Sequence, residues 1–221
     1  MEFSLSGHAV GPVSNGKAKS IVLFLHGLGS NGDDLIALAP YFAKELPDTI
    51  FISPNAPEIC DMAPPGYENS FQWFSLQDRD PHVMETLVKE ASPKLDGFID
   101  EILDHYKVSA DKLVLVGFSQ GTMMSLFTGL NREKPLAGII GFSGALMNSA
   151  TDLSKNKETP ILLVHGEQDD VVPYDAMAVS QHRLKEAGYN VETLSRPDLA
   201  HSIDEVGLKT AVDHAVEYLK D

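Results

Sequence analysis

Apolar runs alternate with segments of helical periodicity along most of this chain. Val, Ile and Leu are nearly continuous within six runs, which cover residues 21–25, 49–53, 112–117, 136–142, 160–165 and 191–195. Strands that are buried on both faces, as in a parallel sheet, have this composition. Helical segments are predicted at residues 33–46, 92–106, 120–131, 174–187 and 204–219. The alternation predicts an α/β fold with a mostly parallel central sheet and helices on both faces.

The two ends of the chain and its length extend this prediction. Residues 3–10 are interpreted as an additional N-terminal strand, and Ser202 and Asp204 offer capping side chains at the start of the last helix. The 221 residues are enough for one α/β domain, which we place at 1–221. Only about 16 residues separate Ser143 from Pro160, too few for a cap domain, so we expect an open site.

Composition restricts the partners and the compartment. The net charge of −15 disfavours nucleic acid and anionic membrane surfaces as partners, although solubility alone also explains it. A single cysteine, Cys60, excludes an internal disulfide and favours a reducing cytoplasm. No apolar run reaches the length of a membrane span, and residues 1–6 lack a secretory signal pattern. We expect a cytoplasmic protein without stable membrane insertion, either a monomer or a homodimer.

The sequence GFSQG at residues 117–121 matches the pattern G-x-S-x-G. An apolar strand precedes it and a helical pattern follows it, which is the context of a nucleophile elbow. The flanking glycines are needed because Ser119 must adopt a strained backbone conformation in which neighbouring side chains would clash. Ser119 is therefore the candidate nucleophile.

A serine hydroxyl needs a base, and the base needs an orienting acid. In this architecture the acid and then the histidine follow the serine along the chain. Asp169 and Asp170 lie in the turn after the predicted strand 160–165, and both remain candidates for the acid. His201 comes after the predicted strand 191–195 and is the candidate base. The carboxyl ends of parallel strands bring these positions to the same edge of a sheet.

Three other residues at strand ends are rival candidates. His26 and His165 each precede a glycine and are interpreted as structural, hydrogen-bonded histidines. His165 also precedes the acid in the chain, so its use as the base would require a different topology. Ser143 follows a strand, but Ala145 stands where an elbow needs its second glycine, and no helical pattern begins there.

Residues 27–32, GLGSNG, match the dinucleotide-binding pattern G-x-G-x-x-G. A dinucleotide site would need an acidic residue at the end of the second strand, and that strand ends in Ser53-Pro54-Asn55. The alternative is a glycine-rich turn whose amide binds an oxyanion. In that interpretation the N–H groups of Leu28 and Gln120 form the oxyanion hole.

Residues 54–82 form a long segment rich in proline and aromatic residues. It is either a loop packed by its own side chains or a loop that contacts the ligand. Leu76, Met62 and Phe71 are candidates to line an open groove for an acyl chain. The sequence holds no H-E-x-x-H motif and no cysteine pair, so neither a metal nor a cofactor is expected.

Five segments together resemble the acyl-protein thioesterase, carboxylesterase and lysophospholipase family of α/β-hydrolases. They are HGLGSNGDDL, WFSL, GFSQG, HGEQDDVVP and AHSI. The resemblance implies that Ser119 is the nucleophile, His201 the base and Asp169, in preference to Asp170, the acid. It also implies an oxyanion hole made by the Leu28 and Gln120 amides, and it places Trp73 on a loop beside the acyl site.

The predicted activity is hydrolysis of carboxylic esters or thioesters through an acyl-enzyme intermediate. Expected substrates are short or medium acyl esters, lysophospholipids or S-acylated proteins. One alternative is a catalytically idle hydrolase scaffold that serves as a binding module, and another is a nucleotide-binding oxidoreductase. The intact set of candidate residues disfavours the first alternative, and the missing acid at the second strand disfavours the second.

Overall fold

The computed structural model describes residues 3–147 and 150–220. Its main sheet has seven strands in the order β1-β3-β2-β6-β7-β8-β9. These strands are β1 (Gly7–Val10), β2 (Ser20–Leu25), β3 (Thr49–Pro54), β6 (Leu113–Phe118), β7 (Gly138–Phe142), β8 (Ile161–Gly166) and β9 (Val191–Arg196). Strand β1 pairs antiparallel with β3, and every other pairing in this sheet is parallel. The predicted mostly parallel sheet is confirmed.

Helices cover both faces of the sheet, as predicted. They are α1 (Gly32–Ile36), α2 (Ala39–Ala43), α3 (Pro81–Tyr106), α4 (Gln120–Asn131), α5 (Asp175–Glu186) and α6 (Glu205–Tyr218), and a 3₁₀ turn covers Ala110–Lys112. Helices α3, α4 and α5 pack into one apolar core, and α1, α2 and α6 pack into a second core on the opposite face. The central strands are buried between the two cores, which explains their continuous apolar sequences.

Two helix predictions were wrong in their extent. The segment predicted as one helix at 33–46 forms two short helices, because Pro40 lacks an N–H and favours the first turn of a new helix. The helix predicted at 92–106 begins eleven residues earlier, at Pro81, and contains Pro93 in its interior. Asp80 caps it by accepting a hydrogen bond from the His82 amide at 2.9 Å.

The long segment 54–82 contains more regular structure than the sequence indicated. Strands β4 (Glu58–Ile59) and β5 (Phe71–Gln72) pair antiparallel and close its central part. At the N-terminus, only Gly7–Val10 of the predicted strand 3–10 joins the sheet. Between β7 and β8 the described residues form neither a helix nor a strand, so no cap domain is present in that part of the chain. Among the described helices, none combines the length and the apolar character that crossing a membrane requires.

The start of α6 closes the loop that follows β9. Asp204 caps the helix, because its Oδ1 accepts the Gly207 amide at 2.8 Å, while its Oδ2 accepts Arg196 Nε at 2.8 Å. The Asp204 carboxylate thus connects the end of β9 to the start of α6, on either side of residues 197–203. Burial raises the pKa of the Asp204 carboxyl, but the bonds from Gly207 and Arg196 outweigh it, and the net shift is downward. Of the two predicted capping residues, Asp204 fills the role, and Ser202 lies two residues before it.

Replacing Asp204 with Ala should lower the free energy of unfolding by about 0.5–2 kcal/mol, the usual cost of losing an N-cap. Urea denaturation at neutral pH measures this loss. The folded-state pKa is lowered, so the stabilisation exists above the unfolded pKa and disappears as the pH falls through the folded pKa. The matched control is Asp213→Ala on the exposed face of α6, expected within about 0.5 kcal/mol of wild type. Equal losses in the two variants would contradict the capping role.

Candidate active site

Ser119 lies in a tight turn between β6 and α4. Its φ of 54° and ψ of −116° put a non-glycine residue in a strained backbone region. A Cβ atom on Gly117 would lie 2.5 Å from the Gly121 carbonyl oxygen, and one on Gly121 would lie 1.8 Å from the Leu25 carbonyl oxygen. Both flanking glycines are therefore required for the backbone to pass, as the G-x-S-x-G pattern predicted.

The structure brings three of the predicted site residues into one hydrogen-bonded chain. The Ser119 hydroxyl lies 3.0 Å from His201 Nε2, and His201 Nδ1 lies 2.7 Å from Asp169 Oδ2. Ser119 follows β6, Asp169 follows β8, and His201 lies in the loop between β9 and α6. Their side chains meet because all three parallel strands end at the same edge of the sheet.

The Asp169 carboxylate is fully buried, whereas Asp170 is exposed. Its Oδ1 accepts the Val171 and Val172 amides, each at 2.9 Å. Burial raises the pKa of the Asp169 carboxyl, but the hydrogen bonds from His201 and from the two amides outweigh it, and the pKa is lowered. Asp169 is therefore held ionised beside the imidazole, a position that Asp170 does not share.

The two predicted oxyanion donors lie on adjoining stretches of backbone. A Cβ atom on Gly27 would lie 3.2 Å from Ser119 Cβ, so the turn that contains Leu28 runs next to the elbow. Gln120 is the first residue of α4, where amides have no partner within the helix. Within residues 3–147 and 150–220, neither amide donates a hydrogen bond to another residue. Both amides can therefore bind a developing oxyanion.

The glycine-rich turn does not leave the helix amides free for a pyrophosphate. The Gly32 amide donates to Asn55 Oδ1 at 2.8 Å, and the Asp33 amide donates to the Asn31 side chain at 2.9 Å. Gly32 also passes close to β3, because a Cβ atom there would lie 2.3 Å from the Ser53 carbonyl oxygen. Gly32 therefore permits close packing of the turn against β3.

His26 has a structural environment. Its Nε2 accepts the Ala56 amide at 2.9 Å, so its Nδ1 carries the proton and donates to the Gly27 carbonyl at 2.7 Å. Burial lowers the pKa of the His26 imidazole, more than the bond to Gly27 and the charge of Asp34 raise it. Ser143 is also buried, with no hydrogen-bond partner for its hydroxyl among the described residues, and it is not among the described residues that line the cavity beside Ser119.

The Gln120 side chain connects the elbow to the 54–82 segment, a contact that the sequence analysis missed. Its Oε1 accepts the Trp73 amide at 2.9 Å, and its Nε2 donates to the Phe74 carbonyl at 2.7 Å. The Trp73 indole N–H donates to the His26 carbonyl at 3.0 Å. Three buried hydrogen bonds thus fix residues 73 and 74 against the elbow and the glycine-rich turn. The signal for this contact in the sequence was the glutamine that follows the serine in G-x-S-x-G.

A cavity of about 760 Å³ opens beside Ser119 and His201. Of the four predicted substrate contacts, Leu76 lines it, and Trp73, Phe71 and Met62 are not among the described residues that do. Trp73 is only 1% exposed because its indole N–H is satisfied inside the protein. Phe71 packs against the core, and Met62 is 52% exposed to solvent. None of these three residues is among the described residues that line this cavity, and a role for them at the acyl site stays a prediction.

The apolar lining of the cavity comes from both faces of the sheet. One part, which we call the Leu76 arm, packs with the core of α3, α4 and α5 and consists of Leu76, Met84, Met123, Val172 and Ala176. The other part, which we call the Leu38 arm, packs with the opposite core and consists of Leu35, Leu38, Phe118 and Ile203. The cavity thus offers apolar surface on two sides of the Ser119 hydroxyl.

The described residues include no group of three or more His, Cys, Asp or Glu side chains placed to hold a metal ion. The absence of a metal and a cofactor stays a prediction.

Known proteins resemble this chain over nearly its whole length. A family model described as phospholipase/carboxylesterase matches residues 9–218. Acyl-protein thioesterase 1 of Neurospora crassa is 34% identical over 195 residues, which cover 82% of this chain and 79% of that protein. The crystal structure of esterase PE8 superimposes with a TM-score of 0.87 at 36% identity, covering 97% of this chain and 99% of that one. Arabidopsis thaliana SOBER1 gives a TM-score of 0.79 at 29% identity, covering 92% and 100%.

Replacing Gln120 with Met should loosen the segment around Trp73 while leaving the backbone amide of residue 120 in place. Two buried polar groups, the Trp73 amide and the Phe74 carbonyl, lose their partner, at about 1–3 kcal/mol each. Urea denaturation measures the loss, and hydrogen exchange at the Trp73 amide locates it. Gln77→Met, at an exposed position of the same segment, is the matched control. Unchanged exchange at Trp73 in the Gln120 variant would refute this role.

Proposed function

We propose that Ser119, His201 and Asp169 are the catalytic triad of this chain, which belongs to the phospholipase/carboxylesterase family. The chain is a serine hydrolase that acts on esters and thioesters, like the acyl-protein thioesterases and esterases it resembles. The observation that carries the proposal is the hydrogen-bonded chain from the Ser119 hydroxyl through His201 to the buried Asp169. This arrangement has the geometry of a nucleophile, a base and an orienting acid.

Acylation begins when His201 Nε2 takes the Ser119 proton as the serine oxygen attacks the acyl carbonyl carbon. The 3.0 Å separation between the two atoms is within the range for direct proton transfer. The carbonyl π electrons move onto the oxygen, and a tetrahedral oxyanion forms. His201 then gives its proton to the leaving alcohol or thiol as the bond from the carbonyl carbon to the leaving group breaks.

The Leu28 and Gln120 amides stabilise the oxyanion. They carry no other described partner, so they bind the developing charge without first breaking a protein hydrogen bond. The N-terminus of α4 directs its positive dipole end at the same position. In comparable sites one such donor lowers the barrier by about 2.7–4 kcal/mol.

Asp169 keeps the His201 ring in the tautomer with the proton on Nδ1, which leaves Nε2 free to accept the serine proton. Its lowered pKa keeps the carboxylate charged throughout, so it stabilises the imidazolium that forms. Deacylation repeats the steps with water. His201 removes a proton from water as the water oxygen attacks the acyl carbonyl carbon, and His201 then gives that proton to the Ser119 oxygen as its bond to the acyl carbon breaks.

The leaving group must lie beside His201, because that imidazole protonates it. The neighbours of His201 in the cavity, Phe118 and Ile203, belong to the Leu38 arm. We therefore place the leaving group in the Leu38 arm and the acyl chain in the Leu76 arm. Met84 and Met123 in the Leu76 arm are flexible apolar side chains that adapt to acyl chains of different shape.

Substrates with apolar groups on both sides of the carbonyl fit this cavity best. Short and medium acyl esters of apolar alcohols meet that requirement on both sides, whereas lysophospholipids and S-acylated proteins supply the apolar acyl chain and have a more polar leaving group. The relatives named acyl-protein thioesterase support the S-acylated class. The structure offers less support to an idle binding module, because the three side chains keep the geometry needed for catalysis. We also propose a cytoplasmic location, which the single buried Cys60 supports.

Replacing Ser119 with Ala should lower kcat for a p-nitrophenyl ester by about 10⁶-fold, because the nucleophile is lost. Steady-state kinetics measure the loss, and circular dichroism checks that the fold is retained. Ser143→Ala is the matched control, since Ser143 is also a buried serine with a positive φ after a neighbouring strand. Turnover close to wild type in Ser119→Ala, or its loss in Ser143→Ala alone, would disprove the assignment.

Replacing Leu76 with Trp should shorten the acyl chain that the enzyme accepts, because the larger ring fills part of the Leu76 arm. A series of p-nitrophenyl esters from acetate to decanoate should show kcat/KM falling for the longer chains by about tenfold or more. Leu38→Trp is the counterpart in the other arm. It should alter the preference among leaving groups and keep the acyl-length profile. The opposite pattern in the two variants would reverse the assignment of the arms.

A further inference from the structure

A second histidine lies against the triad carboxylate. His165 is the fifth residue of β8, and its side chain is only 1% exposed. Its Nε2 lies 3.2 Å from Asp169 Oδ2 and 2.9 Å from the Val172 carbonyl oxygen. This buried, titratable side chain has no role in the acylation and deacylation steps.

The partners of His165 determine which ring nitrogen carries a proton. A carbonyl oxygen only accepts hydrogen bonds, so the nitrogen that contacts the Val172 carbonyl must be the donor. The N–H on Nε2 therefore donates to the Val172 carbonyl, and the Asp169 carboxylate lies beside this bond. Asp169 Oδ2 accepts the His201 N–H at 2.7 Å and lies 3.2 Å from His165 Nε2.

The groups around Asp169 belong to different parts of the chain. The Val171 and Val172 amides belong to the same turn as the acid, so they move with it. His165 belongs to β8, where it pairs in register with Ser195 of β9, the strand that leads to the His201 loop. His165 thus links the turn that contains Asp169 and Val172 to the sheet, and through β9 to the strand that leads to His201.

Val172 completes a closed set of contacts. Its amide donates to Asp169 Oδ1, and its carbonyl accepts from His165. The Val172 side chain lines the Leu76 arm of the cavity. One histidine therefore fixes the orientation of the acid and the position of a residue in the wall of the acyl site.

We propose that His165 is a positioning residue of the triad, whose Nε2–H holds the Val172 carbonyl and, through the Val172 amide, orients the Asp169 carboxylate so that Oδ2 faces His201. The inference rests on the proposed function, in which Asp169 orients His201. His165 acts through Asp169 and does not touch the reacting atoms. Its loss should therefore slow the chemical step and leave substrate binding nearly unchanged.

The first test compares His165→Met with His165→Gln. Methionine fills the space without an N–H donor, whereas the glutamine amide can place a donor near the position of Nε2. Kinetics on a p-nitrophenyl ester should show kcat lowered by about 10–10²-fold in the Met variant, the scale of a small misplacement of a catalytic group. KM should stay within about twofold of wild type. The Gln variant should recover most of kcat.

A double-mutant cycle separates an action through Asp169 from a general loss of packing. In an Asp169→Asn background, His165→Met should cause little further loss of kcat, because the group it positions is already impaired. His214→Met is the control, since His214 is a half-buried histidine on α6. Its kcat should match wild type.

Equal kcat in the Met and Gln variants would overturn the proposal, whether both match wild type or both are equally slow. Full additivity in the cycle would also overturn it. NMR of the wild-type protein with ¹⁵N-labelled histidine gives a test that does not depend on any variant folding: His165 Nε2 must be protonated, and an unprotonated Nε2 refutes the contact. The two failures give different results. If the proposed function is wrong, Ser119→Ala stays active, whereas if only this inference is wrong, Ser119→Ala is inactive and the His165 results alone differ from those expected.

Discussion

The close approach of α4 to β2 is the constraint on which the rest of the site depends. Gly121 lies so near the Leu25 carbonyl that a single added methyl group would overlap it. This proximity forces the chain to turn within a few residues after β6, and the turn puts Ser119 at a positive φ. The strained backbone in turn exposes the serine hydroxyl at the sheet edge and aims the first amides of α4 at the same place.

Buried hydrogen bonds carry this constraint outward to the loops. Gln120 and His26 fix the Trp73 segment, His165 and the Val172 amide fix Asp169, and Asp204 closes the loop that contains His201. Each of these hydrogen bonds satisfies polar groups that would otherwise be buried without partners. The loops around the site are therefore held in place by a polar network that begins at the ends of the parallel strands. Such support keeps reacting groups in position at the moment of reaction.

The meeting of Ser119, His201 and Asp169 could be predicted from the sequence, because it depends on chain order and on strand ends, which local sequence patterns indicate. Ser119, Asp169 and His201 each follow an apolar run, and parallel topology then places them at one edge. The choice of Asp169 over Asp170 needed the family resemblance, because the burial that distinguishes them arises only when the turn folds back on β8.

The supporting contacts could not be predicted, because they join segments that are distant in sequence and have no periodic pattern. The family resemblance implied that Trp73 lies beside the acyl site, and no sequence pattern predicted that its indole N–H donates to the His26 carbonyl. The first three turns of α3 were not predicted, because a proline such as Pro93 is typical of the first turn of a helix. Pro93 instead lies inside a 26-residue helix. The sequence indicated a structural role for His165, and its position 3.2 Å from Asp169 Oδ2 is seen only in the folded structure.

The most direct test of the central claim is to find which atom carries the acyl group. Incubation with a fluorophosphonate, followed by intact mass spectrometry and peptide mapping, traps and locates the activated hydroxyl. One adduct per chain, on Ser119, is expected. An adduct on Ser143, or ester hydrolysis by a protein that forms no adduct, would contradict it.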